Sequence, residues 1–250
     1  MSPTQPISAA ELLDVWEWGL GRTLLERGLA LLTAAWPETS LAELARLPIG
    51  RRDARLLQVR VSLFGPELPI QTTCPQCGVP LELPVHASDL LAAQASGASA
   101  EAREPYVLEA AGRQIHFRLP DSLDLLEAGT TPDPRRALLQ RCVLDQSPAA
   151  EAGEASPVLP TEVETVLLDR MQALDPLAGA SFALNCPACG HSWAAPFDIA
   201  GFVWGEVEAW AYRTLREVHW LASAYGWREA DILALSSWRR QAYLQMSGYA

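Results

Sequence analysis

Apolar positions recur every three or four residues along the first 64 residues, which predicts helices. Ser8 followed by Glu11 has the spacing of a capping box. Behind it Leu12, Leu13, Val15, Trp16, Leu20, Leu24 and Leu25 follow a helical period, and Gly19 and Gly21 predict a break between two helices. The second helix runs through Ala30 and ends near Trp36-Pro37. Thr39 or Ser40 is placed to cap a short helix over 41–47, with Glu43 in its first turn. A further helix is expected over 51–64, with arginines on one side and Leu56, Leu57, Val61 and Phe64 on the other, stopped by Gly65-Pro66.

The period shifts at residue 66. Residues 68–73 and 79–85 read as short strands, 92–102 as a loop or frayed helix, and Tyr106–Ala110 with 114–119 as a hairpin across Gly112-Arg113. Helices are expected at 122–128 and 134–144, a loop at 146–160, and a helix at Thr161–Leu174 opened by a second capping pair, Thr161 and Glu164. Strands at 182–185 and 191–197 precede a long helix that Asp198 can cap, running to about Ser223. Two more helices follow at 227–235 and Ser237–Met246. The fold class is therefore α+β. Helical segments at 1–65 and 198–250 flank a β unit at 66–197, and that unit carries an inserted α/β subdomain at about 90–180.

Composition adds exclusions. All 19 basic residues are arginine, which leaves no lysine for Schiff-base, P-loop or kinase chemistry. The net charge is −11. Residues 66–197 hold seven arginines against seventeen acids and so carry nearly all of the excess. A protein that grips a phosphate backbone usually presents a basic footprint, so nucleic acid is not an expected partner. No apolar run is long enough to span a bilayer, and the first residues lack a basic region followed by an apolar core. The expected location is cytoplasmic where the protein is made.

The chemistry that stands out is carried by cysteine. Cys-Pro-x-Cys-Gly occurs twice, at 74–78 and 186–190, and 108 residues separate Cys77 from Cys186. A Cys-x-x-Cys turn sets two thiolates on one side of a tetrahedral ion. Proline stiffens that turn, and glycine permits the backbone conformation that closes it. Both motifs lie between expected strands, as in a zinc ribbon. Cys74, Cys77, Cys186 and Cys189 are therefore the candidate ligands of one structural Zn2+. A redox dithiol and a pair of disulfides are the competing readings, the first needing only one motif and the second an oxidising compartment. Four thiolates complete the zinc shell, so such a site has no open position for water or substrate.

No catalytic residues are expected. His86, His116, His191 and His219 have no partner at ligand or triad spacing, and Cys142 lies on the apolar side of a helical pattern. The abundant carboxylates of 101–175 read as a solvated acidic surface. Trp204, Trp210, Trp220, Trp227 and Trp238 crowd the last fifty residues, where most are expected in a core and some as anchors for a partner. Residues 220–235 also have a helix–glycine turn–helix pattern, but Glu229 and Asp231 at the start of its second helix make a poor major-groove surface.

The segment REVHWLASAYGWREADILALSSWRRQAYL at 216–244, preceded by FDIAGFVWGEVEAWA at 197–211, resembles the T4-type baseplate hub assembly proteins of tailed phages and contractile injection systems. LLDVWEWGLGRTLLERGLALLTAAWP at 12–37 and the CPxCG motifs between strands are similar to the injection-system branch of that family. The resemblance implies a non-enzymatic assembly factor or minor component of a baseplate or hub. Its partners would be other baseplate proteins, with no small-molecule substrate and no membrane; whether it stays in a phage-tail-like particle is left open. A zinc-ribbon regulator that binds nucleic acid is the alternative reading, and a zinc hydrolase a third, which would need an open metal position.

Overall fold

A computed structural model describes residues 5–97, 105–148 and 159–248. In chain order the first elements are α1 (Ala9–Trp18), α2 (Leu24–Ala35), α3 (Leu41–Ala45), α4 (Ile49–Phe64), β1 (Glu67–Thr73), β2 (Pro80–His86) and α5 (Ala87–Ala95). Then come β3 (Tyr106–Ala110), β4 (Arg113–Phe117), α6 (Ser122–Ala128), α7 (Pro134–Cys142), β5 (Val143–Pro148) and α8 (Thr161–Leu174). A 3-10 turn at Pro176–Gly179 leads to β6 (Ser181–Asn185), β7 (Ser192–Pro196), α9 (Ile199–Tyr225), α10 (Glu229–Leu233) and α11 (Ser237–Met246). The mixture of helices and small antiparallel sheets is α+β, as the alternation of periods predicted.

The chain divides into two compact units, one made of 1–40 with 199–250 and the other of 41–198. The first boundary therefore lies at 40/41, not at the change of pattern near residue 66. Helices α3 and α4 belong with the sheets because α4 packs on α5 and on the turn at Pro176–Gly179.

The unit formed by the chain ends is helical. Capping boxes open α1 (Ser8 with Glu11) and α2 (Thr23 with Glu26), each satisfying two otherwise orphaned backbone groups. The 27-residue α9 buries Ile199, Val203, Val207, Ala211, Thr214, Val218 and Leu221 along one stripe, against which α1 and α2 pack. Gly19 ends α1 where a side chain has no room, since a Cβ there would stand 2.2 Å from the Trp204 ring. Trp204 is buried, with the Arg27 guanidinium 5.0 Å from its centroid. Val218, Leu221, Ile232 and Leu244 form a smaller core with Trp220 and Trp227 at its margin, whereas Trp238 on α11 is 80% exposed. Helix α10 has only five residues.

The other unit holds three separate sheets. β1–β2 and β6–β7 are two-stranded hairpins, and β3–β4–β5 is a three-stranded meander. Ala111 and Gly112 make the β3–β4 turn with φ of 48° and 68°, the conformation of a tight primed hairpin. Ile115, Phe117 and Leu119 pack there with Leu139 and Cys142 of α7 and with Val163, Leu167 and Met171 of α8.

Four local expectations are corrected. Residues 143–148, expected as the end of a helix and the start of a loop, are β5, paired with β4; the rest of that loop, 149–158, lies outside the described residues. Thr161 does not cap α8: Pro160 occupies the cap position, and the Thr161 carbonyl accepts from Thr165 Oγ1. The arginines of α4 do not share a solvent side, because Arg52 and Arg60 are buried along with Leu56, Leu57 and Val59. The carboxylates of 101–175 are not all surface groups, because Asp121, Asp124 and Asp175 are buried.

Candidate metal centre

Each cysteine motif forms the bend of its own hairpin. Thr73 pairs with Pro80 at the tip of β1–β2, and Asn185 with Ser192 at the tip of β6–β7. The two bends share one hydrogen-bond pattern. Cys74 N–H donates to the Val79 carbonyl at 2.9 Å and Gly78 N–H to the Cys74 carbonyl at 2.9 Å. Cys186 N–H donates to the His191 carbonyl at 2.8 Å and Gly190 N–H to the Cys186 carbonyl at 2.9 Å. Gly78 and Gly190 take φ of 73° and 72°, which explains glycine as the last residue of both motifs.

The tips meet. Cys74 Sγ lies 3.7 Å from Cys189 Sγ, and Cys77 Sγ lies 3.6 Å from Cys186 Sγ. All four sulfurs fall within 4.8 Å of one another. Zinc–sulfur bonds of about 2.3 Å in a tetrahedron put the sulfurs about 3.8 Å apart, so this spacing fits one four-thiolate ion. The contacts are too long for disulfide bonds, whose sulfurs stand about 2.05 Å apart. Burial repeats between the motifs: Cys74 and Cys186 are buried, Cys77 and Cys189 exposed.

Electrostatics favour a cation here. The N–H groups of Cys189 and Ala188 pull the Cys186 thiol down to about 7. The His191 N–H favours the Cys189 thiolate, but desolvation and the other three sulfurs outweigh it and push that thiol up to about 12. Cys77 is raised in the same contest, despite the Val79 N–H that favours its thiolate. Four thiolates this close repel one another, and a bound cation is what lets all of them ionise. His191 lies outside the sulfur cluster and stacks on Trp193 at 5.8 Å.

A second linkage ties together the segments that flank the hairpins. Asp175, just before β6, is buried, and its carboxylate accepts from Gly50 N–H at 2.7 Å and from Gln94 Nε2 at 2.5 Å. Gln94 Oε1 in turn accepts from Leu177 N–H at 2.9 Å. Gly50 opens α4, Gln94 lies near the end of α5 and Leu177 in the turn before β6, so this network joins the far ends of the two helices that flank β1–β2 to the segment that enters β6. It also supplies the side-chain cap that Pro48 cannot give α4. Gly50 permits the approach: a Cβ there would stand 2.4 Å from Asp175 Oδ1 and 2.8 Å from the Ala178 nitrogen. Desolvation raises the Asp175 pKa despite these donors.

Two further buried carboxylates are held by guanidinium groups. Asp53 accepts from Arg52 Nε at 2.8 Å, and desolvation pushes it up to about 6. Asp124 completes a capping box with Asp121 and accepts from Arg118 at 2.7 Å and Arg141 at 3.0 Å. Burial opposes its ionisation, but Arg118, the Asp121 N–H and Arg141 outweigh it and bring Asp124 to about 2. None of these buried partnerships was visible in the sequence, where Asp121, Asp124 and Asp175 read as solvated and Asp53 drew no reading. Asp175-Pro176 directly after a helix was the nearest local signal of a capping role. No family model, curated protein or solved structure matches the chain.

Proposed function

We propose that this chain is a zinc-stabilised, non-enzymatic assembly factor or minor component of the baseplate or hub of a phage-like contractile injection system. The observation that carries the metal part is the cluster of four cysteine sulfurs closing between two hairpins at tetrahedral spacing. Four thiolates fill the shell of a zinc ion, and such a closed site supplies folding energy, not a reacting water. Zinc is the expected ion because soft thiolates in a tetrahedron suit it and it brings no redox chemistry of its own. The partner part rests on the sequence resemblance of the chain ends. Trp16, Trp36 and Trp204 are buried and Trp220 and Trp227 pack at the margin of a core, but Trp238 on α11 is exposed, as befits an anchor for a protein partner.

Two measurements test this. Elemental analysis should find one zinc per chain in the wild type and none in Cys186→Ser. Affinity capture of the chain from cells that express a complete injection-system gene cluster should bring down baseplate or hub proteins. A chain absent from both assembly intermediates and finished particles overturns the assembly role, and a zinc content unchanged in Cys186→Ser overturns the metal reading.

A further inference from the structure

We propose that the four-cysteine cluster is a redox-convertible clasp. Oxidation would replace the metal with two disulfides, Cys74–Cys189 and Cys77–Cys186, and leave the hairpins joined. This deepens the zinc reading and rests on it.

Three observations carry the inference. The sulfur contacts of 3.7 Å and 3.6 Å each run from one hairpin to the other, so each pair needs to close by about 1.6 Å to reach disulfide length. Each pair contains one exposed and one buried cysteine: Cys189 exposed with Cys74 buried, and Cys77 exposed with Cys186 buried. A soluble oxidant therefore meets Cys77 and Cys189 first, and each has the sulfur of a buried cysteine within 3.7 Å to complete the reaction. Finally, β1–β2 and β6–β7 are separate sheets, with no strand pairing between them that would substitute for a lost link at the tips.

With a peroxide as oxidant the chemistry balances. The Cys77 thiolate attacks one peroxide oxygen, the O–O bond breaks, and hydroxide leaves, giving a sulfenic acid. The Cys186 thiolate attacks that sulfur, the S–O bond breaks with loss of a second hydroxide, and the S–S bond forms. Two sulfurs give up two electrons to the peroxide, and two protons convert the hydroxides to water. Cys189 and Cys74 repeat the sequence with a second peroxide. With its thiolates converted, the site no longer holds the ion.

The test uses the full-length zinc-loaded chain in a Cys142→Ser background, which removes the one cysteine outside the cluster. Hydrogen peroxide is added, zinc release is followed with a chromophoric chelator, and disulfides are mapped by mass spectrometry without reduction. The expected result is one zinc released for every two disulfides, the pairs being Cys74–Cys189 and Cys77–Cys186, with zinc uptake restored by dithiothreitol. Hydrogen exchange in β1, β2, β6 and β7 should stay slow in the oxidised chain and become at least tenfold faster in reduced chain stripped by a chelator. Pairing within the motifs, Cys74–Cys77 and Cys186–Cys189, overturns the proposal, as does zinc retained under peroxide. A chain that takes up no zinc before the oxidant is added overturns the metal reading as well, so the two failures are distinguishable.

Discussion

Replacing Asp175 with alanine removes the acceptor that joins the start of α4 and the end of α5 to the segment before β6. The carboxylate receives the Gly50 N–H at 2.7 Å and Gln94 Nε2 at 2.5 Å in a site that is 1% exposed. Each buried donor left without a partner costs about 1–3 kcal/mol. Relief of a buried charge gives part of this back, because desolvation raises the Asp175 pKa. The net expectation is about 3 kcal/mol of lost stability in the unit formed by 41–198. Asp175→Asn separates the terms. Its carbonyl can still accept from Gly50 N–H, while its amide meets the Gln94 amide donor to donor. Gln94 cannot turn around without losing Leu177 N–H, so about 1–2 kcal/mol is expected. Hydrogen exchange read by mass spectrometry localises the effect: α4 and α5 amides should open about a hundredfold more often in Asp175→Ala, with α10 and α11 unchanged. Gly50→Ala should resemble Asp175→Ala, because its Cβ would occupy the place of the carboxylate oxygen. Equal effects from the alanine and asparagine variants, or no change in α4, would refute this account of the clamp.

The remaining predictions concern other parts of the chain. Gly190→Ala should cost about 1–2 kcal/mol and weaken metal uptake, measured by competition with a chelator, because alanine must adopt φ near 72°. Asp124→Asn should cost about 1–3 kcal/mol in urea denaturation, since it removes the carboxylate that Arg118 and Arg141 share while Asp121 and Glu127 stay beside them. Asp53, raised to about 6 from 3.8, contributes stability that is fully present below 3.8 and is lost as pH rises through 6. Asp53→Asn should therefore flatten the fall in stability between pH 4 and pH 6. Asp124, brought to about 2, works in the opposite sense, contributing above 3.8 and losing that contribution as pH falls through 2. Trp238→Ala should change stability by less than about 0.5 kcal/mol, since the side chain is 80% exposed, yet reduce partner capture if α11 is an anchor.

What was legible in the sequence was local. The cysteine motifs, their glycines and the flanking strands are short-range signals, and the structure puts the four sulfurs together. The break at Gly19–Gly21 and the turn near Gly112 were legible for the same reason, since each depends on backbone conformation at a few neighbouring residues. What depended on distant partners was not. β5 is a strand because β4 offers it a ladder, although its own residues include Gln146, Ser147 and Pro148. Arg52 reads as a surface arginine until Ser122, seventy residues later, lies within 3.2 Å. Asp175 meets Gly50 across 125 residues. A net charge of −11 disguised these aspartates, because composition cannot separate a paired buried carboxylate from a solvated one.

The clamp at Asp175 also bears on how tightly a metal is held. Ligands separated by 108 residues would pay a loop-closure entropy on binding, even though that cost grows only logarithmically with length. With α4 and α5 already tied to the segment before β6, the two pairs of thiols are delivered by packed helices and by strands of seven and five residues, and the long intervening segment drops out of the reckoning. The effective concentration of one motif at the other is then set by the stiffness of those helices and the two short ribbons. Residues inserted or deleted between α5 and α8, away from Gln94 and Asp175, should leave the metal affinity where it is.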